Sequence, residues 1–466
     1  MKAKFDFKKL VGRFFLGLAS FCEFKRVWFP KKMNRGIAIS IVMVMVALFA
    51  VGTGFAKAKQ IDFWMMLYTD YKTQNELIGD LAKDFEAETG IKVNYEFINW
   101  AQAREKMTLL SLGGEAPDVT DAFWSFTFSD MGAGKHGPMP IEDYIDKYIP
   151  DLEERWTTGS LGDVKYKGHL YGVPWRVDVR PLVYRKDFFE QAGLDPEALD
   201  TWDDLVVYGK KLTKKDASGK VVRWGVGIGG DLAQYYYNWI WQAGGSFLNE
   251  DYTEPTLDTE AGREALQFLV DLVHKHKVAS IDPALDPSYD WLGEYLANHL
   301  AILPVTGSIK KFIEQNALHL TEDTIARKPL KNKVRVSFQG AGYFGLLYGT
   351  KDVDAAMQWL AFLARTKVQR RVAITMGQLS PCQPALDDPY YTKNWWFKGH
   401  IKALPYGRTT QHPNPAWGAI TNPKPGAPIY DMMVNALSGR VSVEEAIKKA
   451  HQEMLELIRS YEEKKK

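Results

Sequence analysis

Cysteine is nearly absent from this chain of 466 residues, which contains only Cys22 and Cys382. A mature form that had lost its N-terminus would keep one thiol, so an internal disulfide is excluded for it. The sequence also lacks the GxSxG, HExxH, P-loop and cysteine-cluster patterns of several hydrolase, metalloprotease, nucleotide-binding and zinc-protein classes. No metal or cofactor is therefore expected from sequence motifs.

Long hydrophobic runs are missing except near the N-terminus. Basic residues precede the uncharged segment 36–55, and small residues follow it up to Ala58. This order is typical of a secretory signal, with cleavage expected after Ala56 or Ala58. A retained membrane anchor is the alternative, because the segment is just long enough to cross a bilayer. We expect residues 1–58 to be a presequence, with Met33 as an alternative start. No cysteine lies near the cleavage site, so the expected product is periplasmic and free of lipid.

The charge of the chain is divided unevenly. The whole sequence has a formal net charge of +2. Residues 1–58 carry eleven Lys and Arg against two acidic residues, a net of +9, so the rest of the chain has about −7. Non-specific nucleic-acid binding depends on a basic surface, and an acidic body argues against it.

Strand and helix patterns alternate along residues 59–466. Apolar or alternating segments of strand length are followed by segments with apolar residues on one helical face. Such alternation predicts an α/β fold with a largely parallel sheet covered by helices. The clearest predicted elements are a strand at 61–68, a helix at 75–88, a strand at 91–97, a helix at 101–112 and a C-terminal helix whose capping box is Ser442 with Glu445.

Five segments in order resemble the family 1 extracellular solute-binding proteins, which include the sugar-binding subunits of bacterial ABC importers. One of these segments joins an extended stretch to an apolar strand, a short helix and a second helix that Thr201 and Asp204 would cap. The similarity extends over nearly all of residues 59–466. The five segments are 85–93, 109–119, 168–213, 255–259 and 438–446.

This resemblance implies a two-lobed periplasmic-binding-protein fold of type II, with hinge strands between the lobes. It places lobe 1 at 59–177 plus 306–352, and lobe 2 at 178–305 plus 353–466. It further implies a non-catalytic monomer without a cofactor, which captures a sugar or oligosaccharide between the lobes and delivers it to membrane permease subunits.

Residues that follow the strands of lobe 1 are the first candidates for ligand contact. In open α/β sheets, ligands bind beyond the carboxyl ends of the strands. That rule selects Asp70 and Tyr71 after the first strand, and Asp121 and Trp124 after a later one. Asp70 could instead belong to a solvated turn, and Trp124 could belong to the core.

The predicted crossing between the lobes carries the second group of candidates. Asp178 and Arg180 alternate onto one side of an extended segment, where they could present a carboxylate and a guanidinium to one ligand. In the resemblance, Asp178 aligns with a sugar-binding carboxylate. The alternative is an ion pair that only sets the hinge. Trp175 precedes the pair and is also expected at the site.

Aromatic residues supply the third group, because flat rings cover the apolar face of a sugar. Tyr236 and Trp239 lie about one turn apart in an aromatic-rich helix, most of whose rings are expected to pack in the core. Trp417 resembles an aromatic residue of lobe 2 that stacks on sugar in maltose-binding relatives, and Arg408 lies nearby in sequence.

Two other functions stay open at this point. One is binding of a different polar solute, such as a polyol, a glycerol phosphate ester or a polyamine, although Arg180 argues against a cation. The other is a secreted carbohydrate-active enzyme, which would need two carboxylates at hydrolytic separation. Asp70, Asp121 and Asp178 could supply such a pair.

Overall fold

A computed structural model describes residues 59–121, 137–229, 232–286, 288–304, 309–409 and 414–463. The fold below is that of Gln60–Lys466, which forms one compact unit. The expected signal segment and Trp124 lie outside the described residues. Within the described ranges, no helix is both long and apolar enough to span a membrane.

The strands belong mainly to two sheets. In chain order they are β1 Gln60–Met66, β2 Lys92–Ile98, β3 Val119–Thr120, β4 Lys165–Tyr166, β5 His169–Leu170, β6 Val173–Val179, β7 Leu182–Arg185, β8 Lys214–Lys215, β9 Val221–Val226, β10 Leu300–Pro304, β11 Thr324–Arg327, β12 Ser337–Leu346 and β13 Gly407–Thr409.

Helices connect and cover these strands, and three short 3₁₀ turns occur within the described ranges, at Pro196–Ala198, Leu318–Leu320 and Leu404–Tyr406. The α-helices are α1 Tyr71–Thr89, α2 Trp100–Gly113, α3 Glu142–Tyr148, α4 Leu152–Arg155, α5 Thr158–Gly162, α6 Lys186–Gln191, α7 Trp202–Leu212, α8 Leu232–Gln242, α9 Glu260–His274, α10 Asp282–Leu285, α11 Trp291–Leu296, α12 Ile309–Asn316, α13 Val353–Leu363, α14 Thr366–Thr375, α15 Gln383–Leu386, α16 Pro389–Thr392, α17 Trp395–Ala403, α18 Trp417–Ile420, α19 Pro428–Leu437 and α20 Val443–Glu463.

The first sheet has the order β13-β12-β3-β1-β2, and β6 also pairs with β12. Strand β1 is parallel to β2 and β3, as the alternation of strands and helices predicts. Strand β12 is antiparallel to β3 near one end and parallel to β13 at the other. Strand β6 runs antiparallel along β12, so these two strands form the long central crossing.

The second sheet has the order β11-β7-β10-β9-β8. Strand β7 follows β6 after only two residues, which carries the chain directly from the first sheet into the second. Parallel pairing between β10 and β9 is combined with antiparallel pairing of β7 to β10 and β11. The two sheets therefore meet through a short crossing rather than through a flexible linker.

Local sequence signals account for several helix ends. Thr201 and Asp204 form the expected reciprocal capping box of α7, and the Thr259 side chain caps α9. The Ser442 hydroxyl accepts from the backbone N–H of Glu445 at the start of α20. The apolar positions expected to face inward on α20 are buried, so its packing follows the sequence periodicity.

Packing places some segments against a different sheet from the one that the expected lobe boundaries imply. Helices α13 and α14 belong to the core of the first sheet, where Trp359 contacts Phe63 and Phe85, although the resemblance placed 353–466 in lobe 2. Conversely, β11 pairs within the second sheet and α12 packs beside it, although 306–352 was expected in lobe 1. Helical periodicity identifies an apolar face but not the sheet that this face covers.

The glycine-rich segment 225–230 has a packing role in the described part of its length. A Cβ at Gly225 would lie 2.1 Å from the carbonyl oxygen of Gly209, so glycine permits the close approach of β9 to α7. The hydroxyl of Tyr235 donates to the carbonyl of Gly227 at 2.9 Å.

Candidate ligand-binding site

Polar groups gather where β1 and β3 end beside the crossing strand β6. Tyr68 lies two residues after β1, and Asp121 follows β3 directly. Trp175 and Arg176 lie on β6, and both act electrostatically or by hydrogen bonding on the Asp121 carboxyl. The structure thus brings Asp121 and Trp175 together at the edge of the sheet where α/β proteins bind ligands.

Asp121 is fully buried, and only one of its two carboxylate oxygens makes a well-formed hydrogen bond within the described part of the chain. Its Oδ1 accepts from the backbone N–H of Met66 at 2.8 Å, whereas Oδ2 makes no well-formed hydrogen bond with any described residue, although the Tyr68 hydroxyl and the Trp175 indole face the carboxyl. Burial raises the pKa of this carboxyl to about 7, although the Met66 amide, Tyr68 and Arg176 act in the opposite direction. Asp121 is therefore a buried carboxyl close to its titration point at neutral pH, with one oxygen ready for a partner.

Tyr68 sits in a frame of aromatic rings. Its ring meets the edges of Trp100 and Trp175 at centroid distances of 5.3 and 4.8 Å. Its buried hydroxyl faces Asp121 and Arg176 without a well-formed hydrogen bond to either, and burial followed by the Asp121 charge raises its pKa well above the usual value. The frame is rigid because the backbone of Tyr68 is bound by Gln74, whose amide also donates to the Met66 carbonyl.

Trp100 gives this frame an exposed surface. Its indole N–H donates to the carbonyl of Leu67 at 2.8 Å, which fixes the ring at the start of α2. The side chain is nevertheless 49% exposed. A fixed indole beside unsatisfied polar groups is the combination that covers a sugar ring while neighbouring groups bind its hydroxyls.

Arg176 lies between the aromatic frame and the rest of β6. Its guanidinium carbon is 5.0 Å from the Tyr68 ring centroid and 5.8 Å from that of Trp100. The facing residue on β12 is Gly342, where a Cβ would lie 2.6 Å from Arg176 Nε. Glycine at that position therefore provides the space in which the arginine side chain lies.

Asp178 and Arg180 lie on one side of β6, as the alternation predicts. Arg180 Nη2 donates to Asp178 Oδ2 at 3.2 Å. The guanidinium of Arg180 covers the ring of Phe338 at 3.9 Å, and its carbonyl accepts from the Ser337 hydroxyl. Arg176, Asp178 and Arg180 thus form a charged row along one face of the crossing strand.

Asp70 and Tyr71 lie at the rim of this region. Asp70 is the N-cap of α1, where its Oδ1 accepts from the Thr73 amide at 2.9 Å, and this bond is the main cause that lowers its pKa. Its Oδ2 accepts from the Gln315 side chain at 3.1 Å. Tyr71 is 63% exposed and contacts Phe97. Asp70 thus lies in an exposed turn that starts α1, which fits the alternative of a solvated turn, and ligand contact stays a prediction.

The structure places the two aromatic candidates of α8, Tyr236 and Trp239, in the core. Tyr236 is fully buried and donates its hydroxyl to the Gly262 carbonyl, while Trp239 packs against Trp202 and Phe268. Neither ring has a face that a solute could cover. The aromatic helix α8 therefore uses both side chains to build the core.

Trp417 and Trp175 are buried as well. Trp417 packs against Tyr237 and Phe247, and Trp175 stacks on Phe344. Direct stacking of a ligand on Trp417 does not fit this packing, because its ring faces are occupied by core residues. Trp175 instead supports Tyr68 and directs its buried indole N–H toward the Asp121 carboxyl without a well-formed hydrogen bond.

Arg408 lies on the other side of Phe338, on β13. Its guanidinium covers Trp241 at 5.0 Å and donates to the Ser246 hydroxyl at 3.2 Å. It lines an open depression on the second lobe together with Asn249, Tyr252 and other residues, and no described hydrogen bond joins it to Asp178 or Arg180. Contact with a shared ligand remains a prediction for Arg408.

Three residues that the sequence does not single out as site residues complete the cluster: Tyr68, Trp100 and Arg176. Tyr68 is the last residue of the predicted strand 61–68, and the strand-end rule would have found it had that strand been ended at Met66, where the structure ends it. Arg176 alternates with Asp178 and Arg180, so the same period-two argument applies to it. The exposure of Trp100 has no signal in the sequence, because it depends on how α2 packs.

Two α/β sheets joined by crossing strands, with polar groups gathered at the crossing, define a two-lobed periplasmic-binding-protein fold of type II. The chain belongs to the bacterial extracellular solute-binding protein family, whose family model matches residues 70–370. This membership confirms the family resemblance and the fold class expected from the sequence.

Individual relatives show the range of this family. An arabinooligosaccharide-binding protein from Halalkalibacterium halodurans is 26% identical over 247 residues, which cover 53% of each chain. A probable amino-acid ABC transporter periplasmic-binding protein from Sinorhizobium fredii is 27% identical over 333 residues, 68% of this chain and 72% of the relative. The chain thus spans about half the length of the first of these relatives.

Solved structures support the fold. A solute-binding protein from Thermotoga lettingae, bound to α-D-tagatose, superposes with a TM-score of 0.71 at 21% identity. The superposition covers 86% of this chain and the whole of that protein.

Proposed function

We propose that this protein is the solute-capturing component of an ABC importer and that its solute is a carbohydrate. The family membership and the sugar-binding relatives support the assignment. The observation that carries it is the cluster beside β6, where a fixed, exposed Trp100 adjoins buried polar atoms that face one another without well-formed hydrogen bonds. Sugars require this pairing of a ring platform with directional polar groups.

In this proposal each residue has a defined role. Trp100 covers the apolar face of a sugar ring, and Asp121 Oδ2 and the Tyr68 hydroxyl bind ring hydroxyls. Asp178 and Arg180 lie farther along β6 and contact the part of the solute nearer the second sheet. Because β6 continues into β7, binding at this row would favour closure of one lobe on the other.

The wider role follows from the family. We infer that the protein is exported, acts as a monomer, performs no chemistry on its solute and releases it to membrane permease subunits. The test of its non-catalytic nature is recovery of the solute unchanged after prolonged incubation. Appearance of a cleaved product would show a carbohydrate-active enzyme instead.

Calorimetric and tryptophan-fluorescence titration of residues 59–466 tests the solute class. The panel contains neutral oligosaccharides, acidic oligosaccharides, polyols, sugar phosphates, polyamines and amino acids. Saturable binding of a saccharide, weakened at least about tenfold by Trp100→Ala, is the expected result. Trp417→Phe is a matched control, because that indole lies in the core. Binding of polyols or polyamines alone would exclude carbohydrate capture.

An amino acid is the second candidate solute. The relative from Sinorhizobium fredii, which aligns over 68% of this chain, is described as a probable amino-acid transporter component. Arg176 could bind a carboxylate while Asp121 or Asp178 binds an ammonium group. The amino-acid arm of the same panel distinguishes this candidate from a saccharide.

A further inference from the structure

Arg176 is buried without an ion-pair partner among the described residues, and unlike Arg223 and Arg327, which donate to backbone carbonyls, it lies at the candidate site. Its side chain is 8% exposed. Among the described residues no carboxylate lies within 4.0 Å of its guanidinium, and its Nε makes no hydrogen bond. Arg185, which is similarly buried, is instead bound by both oxygens of Asp187 at 2.9 and 2.8 Å. A buried guanidinium without such a partner costs free energy, and a hydrogen-bond acceptor of opposite charge would stabilise it.

The groups that face Arg176 do not supply such an acceptor. Asp178 acts on it electrostatically from the same strand but is held by Arg180. The Tyr68 hydroxyl also faces the guanidinium, but it offers only a neutral acceptor because burial raises its pKa. Asp121 faces it from the end of β3, and its pKa is raised to about 7, so it is about half protonated at neutral pH. The site therefore holds a surplus of positive charge whenever Asp121 is protonated.

Resting on the proposed capture of a saccharide, we infer that the saccharide bears an anionic substituent, a carboxylate or a phosphate, which pairs with Arg176. A guanidinium binds either group through two parallel N–H···O bonds. The aromatic rings around Arg176 exclude water and hold the guanidinium in place, which strengthens such a pair. Trp100 would cover the same sugar unit, since its ring lies 5.8 Å from the guanidinium.

Binding of an anion at Arg176 should also change the protonation of Asp121. An anion bound at Arg176 lies near Asp121, and two neighbouring negative charges repel each other. Binding should therefore raise the pKa of Asp121 further and take up a proton near neutral pH. A neutral sugar that accepts from Arg176 and donates to Asp121 would favour the ionised carboxyl and would release a proton.

Calorimetry with matched solutes tests the inference. Galacturonate and glucuronate oligosaccharides are compared with galactose and glucose oligosaccharides of equal length, and glucose 6-phosphate separates phosphate from carboxylate. We expect the acidic member of a pair to bind at least about 30-fold more tightly, and Arg176→Gln to remove this preference. Titration in buffers of different ionisation enthalpy measures the proton uptake.

Variants separate the charge of Arg176 from its structural role. Arg371→Gln removes a positive charge from α14, where Arg371 pairs with Asp80 away from the site, and it should leave the preference intact. Arg176→Lys keeps the charge without the paired donors, and it should keep part of the preference even if Arg176→Gln fails to fold. Asp121→Asn should abolish the proton uptake while acidic saccharides still bind.

The outcomes distinguish this inference from the proposed function. Equal or tighter binding of the neutral member of each pair would overturn the anionic substituent while carbohydrate capture stood. Proton release on binding of the acidic saccharide would also overturn it. Binding of amino acids with no response to any saccharide would overturn carbohydrate capture itself.

Discussion

Arg180 and Asp178, two residues apart on β6, form an ion pair in which Arg180 Nη2 lies 3.2 Å from Asp178 Oδ2. Both side chains are largely buried, so the pair is shielded from solvent where the chain passes from the first sheet to the second. The pair could hold the crossing rigid, bind the solute, or do both. Separate measurements of affinity and stability distinguish these roles.

We predict that Asp178→Asn and Arg180→Gln each weaken solute binding at least about tenfold, because hydrogen bonds to charged groups contribute about 1.5–3 kcal/mol. Calorimetric titration measures the affinity, and urea denaturation of the solute-free protein measures the free energy of unfolding. Unchanged affinity combined with lowered stability in both variants would assign the pair to the hinge alone.

The pH dependence of the free energy of unfolding should reveal the raised pKa of Asp121. Burial raises its pKa from 3.8 to about 7, so the folded protein binds more protons at this site than the unfolded chain does between those values. Its contribution to stability is greatest at low pH and is lost as the pH rises toward 7. Asp121→Asn removes this loss, so the variant should gain on the order of 3 kcal/mol over wild type between pH 4.5 and 8.

Urea denaturation of both proteins across that pH range checks this prediction. Asp163, whose pKa burial raises to about 6, contributes a loss of the same sign at lower pH and should remain in the variant. A constant difference in unfolding free energy between the two proteins from pH 4.5 to 8 would show that Asp121 is ionised throughout.

Local features of this fold could be predicted from the sequence because they depend on neighbouring residues. The capping box of α7 requires Thr201 and Asp204 three positions apart, and the shared side of Asp178 and Arg180 requires only strand alternation. Tertiary features could not be predicted in this way. The sequence does not show that Tyr236 is enclosed on every side, nor that α13 covers the first sheet.

In the candidate site, too, local features could be predicted from the sequence and tertiary features could not. The strand-end rule selects Asp121, which the structure places in the cluster, because the rule needs only the position of β3, and ligand contact of Asp121 stays a prediction. The lack of an anionic partner for Arg176 depends on where every acidic residue of the fold lies. Such a property belongs to the assembled structure, and no spacing along the chain encodes it.

Gly342 provides a test of how Arg176 is placed. A Cβ at this position would lie 2.6 Å from Nε and 2.7 Å from Cγ of Arg176, so Gly342→Ala must displace the arginine side chain. We expect affinity for the solute to fall at least about tenfold and the unfolding free energy to fall by about 1–3 kcal/mol. Titration and urea denaturation measure the two effects.

Gly340→Ala is the matched control for that variant. It lies on the same face of β12, but its Cβ would approach the Phe338 ring no closer than 3.4 Å, an ordinary contact. Its effect on the affinity for the solute and on the free energy of unfolding should be smaller than that of Gly342→Ala. Equal losses of affinity in the two variants would indicate a general disturbance of β12 rather than displacement of Arg176.

The hydrogen bond between Gln315 and Asp70 should influence closure of the lobes. Asp70 caps α1 on the first sheet, whereas Gln315 lies on α12, whose Ile309 and Ile313 pack in a core with Leu303 of the second sheet. The 3.1 Å bond therefore joins elements of different sheets at the rim of the candidate site. Because it is exposed, its energy is about 0.2–1 kcal/mol.

We predict that Gln315→Ala weakens solute binding by no more than about fivefold and enlarges the radius of gyration of the solute-free protein. Asp70→Ser should preserve the helix cap but lose the bond, and the double variant should match Gln315→Ala in affinity. Small-angle X-ray scattering and calorimetry provide the two measurements. Additive losses of affinity in the double variant would mean that Asp70 acts on the solute directly, as the sequence predicts, rather than through Gln315.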